Sequence, residues 1–579
     1  MYISIPRLAT GAFACAALVL TTGAHPLAGP SGDHDVSKDV QHVLLISIDG
    51  MHALDYLNCV KNETCPNLAE LGETGVNYRR TSTARPSDSA PGLAAIVSGG
   101  SPKTTGIYYD VAYDRVLAPP AKDTGNGLVH GNCNPGSING TQIEYEEGVD
   151  IDQSQLNGGG PYGPFDGGYL SIDSNKLPRD PFSNPPCQVV WPWNFIRVNT
   201  IYGVIHGAGG RTAWSDKHAV YANVSGPTGS SVPSNVDDYY SPDVNSNVIP
   251  LPGVTTATGT HCDPIPDTNP AVAAWVDSFK EIQCYDQLKV NAVVNWINGK
   301  DHTGTMTAPS VPNIFGMNFQ AVSVGQKLIE GGTLKGGYID NEGTPTTPML
   351  SEIKFVDAAI GQMVHALKKQ GLLESTAIII TAKHGQSPID THKFFPIPGH
   401  SKANGTDPAT LLGTNFLPVA ETSGLGATAD DVALLWLKDS GTTEDAVDVL
   451  EQNLTAAGIG QIFSGPSLAA LYDTPGIPQQ FGGFGGDPRT PDIIVSPNVG
   501  VIYTGSTTKQ SEHGGFAQDD TNVMLLVSHP DLKRSSINSF VETSQVAPTI
   551  LKLLGLDPSS LDAVRKEGTP VLPGLGLGR

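Results

Sequence analysis

Five apolar runs, each ending on polar residues, constrain the fold most. "HVLLISIDG" (42–50) is the first, and "VNAVVNWING" (290–299), "TAIIITAKHG" (376–385), "PDIIVSPN" (491–498) and "TNVMLLVSHP" (521–530) repeat the pattern. A strand buried on both faces reads as a continuous apolar run, as parallel strands covered by helices do. Amphipathic helix patterns alternate with the runs, at 351–373 with a Lys pair and a glycine near its end, and at 535–556. Strand, helix, strand order implies an α/β class with a mostly parallel central sheet flanked by helices. In such sheets reactive groups collect beyond the C-terminal ends of the strands.

Two stretches break the alternation. Residues 115–268 are rich in Gly, Pro, Ser and Asn and carry Cys133, Cys187 and Cys262, which predicts an insertion over the site, pinned by disulfides. Residues 393–480 hold the strand-like "DVALLWL" and the helical "TEDAVDVLEQNLTAAG", which predicts a small α/β cap. The core is then 40–114, 269–392 and 481–579. "VPNIFGMNFQAVSVGQKL" (311–328) reads as partly helical and lining the cleft, with no role assigned.

Charge and leader bound the setting. The chain has 34 Lys and Arg against 57 Asp and Glu, a net charge of -23. Such a surface repels nucleic acid polymers and anionic membranes, and suits small phosphorylated substrates better. An Arg followed by an apolar run from about 9 to 20 and small residues at 22–24 predicts a secretory signal over 1–24. Sequons at Asn62, Asn139, Asn223, Asn404 and Asn453 agree with export, and six cysteines outside the leader predict three disulfides, Cys59–Cys65 the easiest to close. The C-terminal "LPGLGLGR" is too short and polar for a lipid-anchor signal, so the expected product is a free secreted glycoprotein. Its oligomeric state is open.

The strand ends carry the candidate chemistry. Asp49 closes the first run, Lys383 and His384 close the third, His302 follows the second in "NWINGKDHTGT", and His513 lies in "SEHGGF". Ser89, in "STARPSDSAPGLAAIVSG", stands at a helix entrance, where a serine is usually an N-cap but where free N–H groups also favour an oxyanion. His and carboxylate groups together are what a zinc-like dication requires.

As an ordered set, "ISIDGM", "PSDSAPG", "AKHGQSP", "EHGGF" and "QVAPTILKLLGLDP" resemble the type I phosphodiesterase/nucleotide pyrophosphatase family of the alkaline phosphatase superfamily. The resemblance covers most of the chain outside the two atypical stretches and implies an alkaline-phosphatase-like core. It implies two zinc ions, one on the first-strand Asp, a Ser/Thr nucleophile and a "DHG" Asp-His pair, the other on an Asp-x-x-x-His motif and a later His. Carried over, Asp49, Ser89 and His384 map to the first metal, His302 and His513 to the second, and Ser89 becomes the nucleophile of a phosphoryl-enzyme mechanism.

Three positions depart from that pattern. Lys383 replaces the "DHG" aspartate, Asn298 stands four before His302 where the motif has Asp, with Asp301 a candidate substitute, and Asp110 replaces an Asn that helps hold the transferring group. The changes add a net two positive charges, equal to one missing dication. One or two divalent ions, zinc by resemblance, or an ammonium at the first position therefore remain open, with Lys383 supplying electrostatic help or acting as base for Ser89. The leading expectation is a secreted hydrolase of phosphodiester or pyrophosphate bonds. A catalytically silent secreted glycoprotein of the same fold, binding a ligand or partner, is the alternative. A sulfatase is disfavoured because Leu93 stands where its Cys/Ser-x-Pro-x-Arg motif needs Arg.

Overall fold

The computed structural model describes residues 39–124, 128–145, 168–244, 254–262, 275–399, 405–418, 428–469, 471 and 487–577. The expected leader and the sequon at Asn404 lie outside them. In chain order the strands used below are β1 (His42–Ile48), β2 (Gly75–Tyr78), β3 (Ala213–Ser215), β4 (Asp238–Tyr240), β5 (Ile314–Phe319), β6 (Thr376–Thr381), β7 (Thr428–Ala429), β8 (Ala433–Leu435), β9 (Ile459–Ser464), β10 (Ile493–Pro497), β11 (Leu526–Ser528) and β12 (Ser535–Ile537). The helices are α1 (Ser89–Ser98), α2 (Phe279–Ile297), α3 (Thr347–Gln370) and α4 (Val546–Leu553).

The central sheet has the order β12-β2-β11-β6-β1-β5-β3-β4, and every strand but β11 runs the same way. β1 sits in the middle because both its faces are apolar. Leu44, Ile46 and Ile48 join one core with residues of α2 and α3, while Val43 and Leu45 join the opposite core with residues of α1 and α4. Fully burying each such side chain contributes roughly 1.5–3 kcal/mol. The registers Ser47–Asn318 and Ser47–Thr381, continued two residues, bring Asp49 level with Gln320 and Lys383. Ser215 lies beside Met317, so Asp216 and Lys217 emerge at the same edge.

Several elements differ from the sequence expectation. Residues 290–299 are not a strand but the last turns of α2, capped by Ser278, whose hydroxyl accepts from the Glu281 N–H. Val290, Val293, Trp296 and Ile297 are buried at helical spacing, and a short apolar window cannot separate the two periods. The central strand is instead β5, inside the 311–328 segment. The 521–530 run supplies β11, the one antiparallel strand, and 535–556 divides into edge strand β12 and the shorter α4. The 115–268 stretch is not only an insertion, because it contributes β3 and β4 to the central sheet. Each is three residues long, too short for a periodic signal.

The 491–498 strand forms, but as β10 in a separate antiparallel sheet of order β7-β8-β10-β9. That sheet therefore draws on residues past 480. One face encloses Leu435, Leu450, Ile493 and Val495, and the other packs Val432, Leu434, Trp436 and Ile494 against Tyr108 and Tyr109. Disulfides join Cys59–Cys65, Cys133–Cys187 and Cys262–Cys284. Among the described residues no helix is long and apolar enough to cross a membrane.

A buried carboxyl pair fastens the small sheet to the core. Asp431, just before β8, lies close enough to Asp520 for the two carboxyls to interact, and Ser387 Oγ donates to Asp431 Oδ2 at 2.7 Å. Burial raises both groups, Asp520 to about 6, with Asp431 restraining it, and Asp431 further, helped by repulsion from Asp520. The native pair keeps a proton that an unfolded carboxyl releases near pH 4, so its stabilisation is present below that pH and is lost as pH rises through about 6. Asp431→Asn is expected to raise Tm by about 2 °C or more over the parent at pH 8, with the gap closing as pH falls to 4. Calorimetry across that range checks it, and a gap that does not change with pH refutes it.

Candidate active site

The approach to Ser89 is built from the first turn of α1. Asp88, not Ser89, is the N-cap, its extended backbone leading into the helix while its Oδ2 accepts from the Ala90 N–H at 3.1 Å and the Asp110 N–H at 3.0 Å. Pro91 is tolerated in this turn because its missing N–H has no helical partner to serve. Gly92 is required by proximity, since a Cβ there would collide with the Lys383 backbone. Ser89 is thereby freed from capping and pressed against the end of β6. Its side chain is 0% exposed and its Oγ accepts from Lys217 Nζ at 3.0 Å.

Four strand ends are joined to this hydroxyl through a chain of polar contacts that begins at Lys217. Beyond β1, Asp49 accepts from Asn318 Nδ2 on Oδ1 and from Gln320 Nε2 on Oδ2, both at 2.7 Å. Lys383 Nζ and His384 Nε2 stand 3.9 and 3.6 Å from Oδ2. Burial would push the Asp49 carboxyl up, but Lys383, His384 and Lys217 together hold it well below the usual carboxylate range. At 3.9 Å and an effective dielectric near 20, the Lys383 attraction alone is roughly 4 kcal/mol.

Beyond β3, Asp216 is fully buried and takes Lys383 Nζ on Oδ1 at 2.9 Å and the Trp214 indole N–H on Oδ2 at 2.9 Å. The Lys217 backbone N–H also donates to Asp216 Oδ1 at 2.9 Å. Lys383 Nζ lies 4.0 Å over the Tyr221 ring, an added cation–π contact. Lys383 therefore bonds to Asp216 and reaches toward Asp49, and the lysine that donates to Ser89 is Lys217, which the sequence reading did not single out.

His513 comes from a loop bonded to the Ser87 backbone, its Nδ1 3.3 Å from Asp88 Oδ1 and its ring centroid 4.1 Å from that of His384. The next residue, Gly514, has φ +108°, and a Cβ there would strike the Tyr109 hydroxyl. Burial, then His513, lowers the His384 pKa, against a raising pull from Asp49. Asp110 lines the adjoining cleft with Ala90, Tyr109, Tyr145, Phe195, Tyr221 and Asn223.

Asn298 and His302 lie elsewhere. His302 Nδ1 is 2.6 Å from Oδ1 of Asp238, the first residue of β4, and its ring stacks on Tyr240, the last. Asn298 ends α2 and accepts from Gln370 at the exposed end of α3, and Asp301 holds the N–H groups of its own turn. Because 290–299 is a helix, it delivers these residues to the N-terminal edge of the sheet, opposite Ser89. Asp216, Lys217, Tyr221, Asn318 and Gln320 were missed by sequence reasoning. "AWSDKH" does step from apolar to charged at a strand end, but over only three strand residues, and "MNFQ" ends on uncharged amides.

The two-ion ligand set does not fit these residues. An ammonium occupies the place of one carboxylate ligand, both Asp49 oxygens already accept amide N–H groups, and Asn298 and His302 are at the far edge. Asp49, His384 and His513 remain together, yet among the described residues no three His, Cys, Asp or Glu side chains are arranged to hold an ion.

The profile of the type I phosphodiesterase/nucleotide pyrophosphatase family matches residues 43–132 and 218–522. The fold is similar to murine ectonucleotide pyrophosphatase/phosphodiesterase 5, at 15% identity over 90% of this chain and 96% of that one, TM-score 0.50, and equally to an inactive variant of it in complex with AMP. It is also similar to a mutant of the alkaline phosphatase PafA, at 13% identity over 90% and 96% of the two chains, TM-score 0.51. No curated protein matches the sequence. With the profile spanning the Ser89 turn and the ends of β1, β5 and β6, though not Asp216 and Lys217, the chain belongs to the type I phosphodiesterase/nucleotide pyrophosphatase family, a family of phosphoric ester hydrolases.

Proposed function

We propose that this chain hydrolyses a phosphodiester or pyrophosphate bond in a small substrate, with Ser89 as the attacking group. The observation that carries the reading is the Ser89 hydroxyl itself, released from capping and hydrogen-bonded to a lysine ammonium beside a cleft. Oγ forms a bond to phosphorus as the ester oxygen leaves, and the hydroxyl proton ends on that leaving oxygen. Water then cleaves the phosphoseryl bond, its OH going to phosphorus and its proton back to Oγ.

The cleft favours a particular substrate shape and charge. Tyr109, Tyr145, Phe195 and Tyr221 give the cleft an aromatic lining that suits a flat or apolar group, and Tyr145 and Phe195 meet edge to face at 5.3 Å. A nucleotide half is one such group, as in the AMP complex of the murine relative's inactive variant. Asp110 in the wall disfavours a dianionic monoester relative to a singly charged diester. The three disulfides support secretion, with glycosylation at the exposed Asn62 and at Asn139, Asn223 and Asn453, Asn223 standing in the cleft wall. One observation favours the silent-protein reading, the complete burial of Ser89.

Assays of the purified protein with bis(nitrophenyl) phosphate, nitrophenyl phosphate and nitrophenyl sulfate separate the readings. Turnover is expected to be fastest on the diester and absent on the sulfate, and Ser89→Ala to lower diester kcat at least about a thousandfold. No turnover of either phosphate, with or without added zinc, establishes the silent protein instead. Asn298→Ala and His302→Gln, at the opposite edge of the sheet, are expected to leave diester kcat/KM within about twofold, since they touch neither Ser89 nor the cleft. A loss of a hundredfold in either would return them to the site.

A further inference from the structure

We propose that Asn223 carries an N-linked glycan in the wall of the Ser89 cleft, and that this glycan limits the size of the ester that the cleft admits. The proposal rests on the Ser89 reading above and adds a modification that governs which substrates reach that site. Asn223 opens the sequon Asn223-Val224-Ser225 and lies in the 3₁₀ helix Ala219–Ser225, which starts two residues after Lys217. The other six residues of that helix are buried, and Asn223 alone is partly exposed.

The backbone on either side of Asn223 is held from the core. Thr200 Oγ1 donates to the Val224 carbonyl at 2.5 Å, and Asn235 Nδ2 donates to the Ser225 carbonyl at 2.9 Å. Val220, Ala222 and Val224 pack into the core that also holds Val43 and Leu45. Tyr221 and Asn223 both line the cleft. Among the described residues the Asn223 amide has no hydrogen-bond partner. Two other sequons differ in this respect. Asn139 Nδ2 donates to the Ser137 carbonyl at 2.7 Å while its Oδ1 accepts from the Asn134 N–H at 3.2 Å, and Asn453 Nδ2 donates to the Val449 carbonyl at 2.8 Å. Asn62 is exposed but does not line the cleft. Asn223 therefore joins an unengaged amide to a place beside the reacting group.

In the transfer, Asn223 Nδ2 bonds to the first sugar carbon of a lipid-linked oligosaccharide pyrophosphate. The bond from that carbon to the pyrophosphate oxygen breaks, and one amide proton leaves with the pyrophosphate. The attached sugar is bulky and hydrated, so the folded chain has to leave it in solvent. Rooted in the same wall as Tyr221 and Phe195, it fills the space over the cleft, admits a small diester and excludes one that carries a polymer.

The test uses the whole protein secreted from a glycosylating host. Peptide mass spectrometry reads occupancy at Asn223, and part of the sample is trimmed in its native state with an endoglycosidase that leaves one N-acetylglucosamine. Bis(nitrophenyl) phosphate is compared with a nitrophenyl phosphodiester whose second group is a long polyethylene glycol, uncharged so that the acidic surface does not enter. Trimming is expected to change kcat/KM on the small diester less than about twofold and to raise it on the polymer ester at least about tenfold. Ser225→Ala removes the sequon, keeps Asn223 and gives up one 3.3 Å hydrogen bond from the Asn235 N–H. The ratio of polymer to small ester is expected to rise as much in that variant, and not at all in Asn62→Gln, which removes a glycan outside the cleft. An unmodified Asn223 overturns the proposal, as does an occupied one whose removal leaves that ratio unchanged. The Ser89 reading fails separately. If neither ester turns over, hydroxyl-radical oxidation of the half-buried Tyr145 in the same cleft becomes the readout. A rise of at least about twofold on glycan removal then keeps the glycan and sinks the nucleophile, and no rise refutes both.

Discussion

A carboxylate with no water around it must be surrounded by donors, and Asp216 is where that requirement organises this protein. Buried at the end of a three-residue strand, it draws in the Lys383 ammonium, the Trp214 indole and the Lys217 amide. Those contacts tie the ends of β3 and β6 together across the intervening β1 and β5. They also decide which lysine faces Ser89. Without Asp216, Lys383 would keep only the more distant Asp49 and the Lys217 backbone would lose an acceptor.

The same pairing logic explains why Asp49 stays ionised in a dry site. Its oxygens are met by Asn318 and Gln320, and Lys383 and His384 complete the shell. Amides in those positions neutralise nothing but satisfy lone pairs, and Lys383, His384 and Lys217 hold the carboxyl in its charged form. The wall opposite is built differently. The small antiparallel sheet presses an apolar face on Tyr108 and Tyr109, which sets the start of the Asp110 wall, while the Asp431–Asp520 pair fastens that sheet beside the His513 loop. Substrate shape and reacting charge are thus governed by separate parts of the chain.

Much of the site was legible before any coordinates. Asp49, Lys383 and His384 stand directly after long apolar runs, and Ser89 and His513 lie in short motifs rich in Gly and Pro, so each could be placed at a strand end or helix entrance. Lys217 could not, because β3 and β4 are too brief to impose a period on a loop-rich stretch. His302 was misplaced for a different reason. The 290–299 window holds valines and a tryptophan that satisfy a strand pattern as well as a helical one, and a helix in this fold runs back against the strands. One wrong element type thus moved a candidate ligand from one edge of the sheet to the other.

By itself the sequence determined the α/β class, the family, and the residues that end β1 and β6, since all of these follow from contiguous runs and motifs. Only the tertiary structure decided that Asp88 caps α1, that Lys217 meets Ser89, and that Asn298 and His302 never arrive while His513 does. Those outcomes depend on which strand ends become neighbours, a property of packing between segments over a hundred residues apart, which no local pattern encodes.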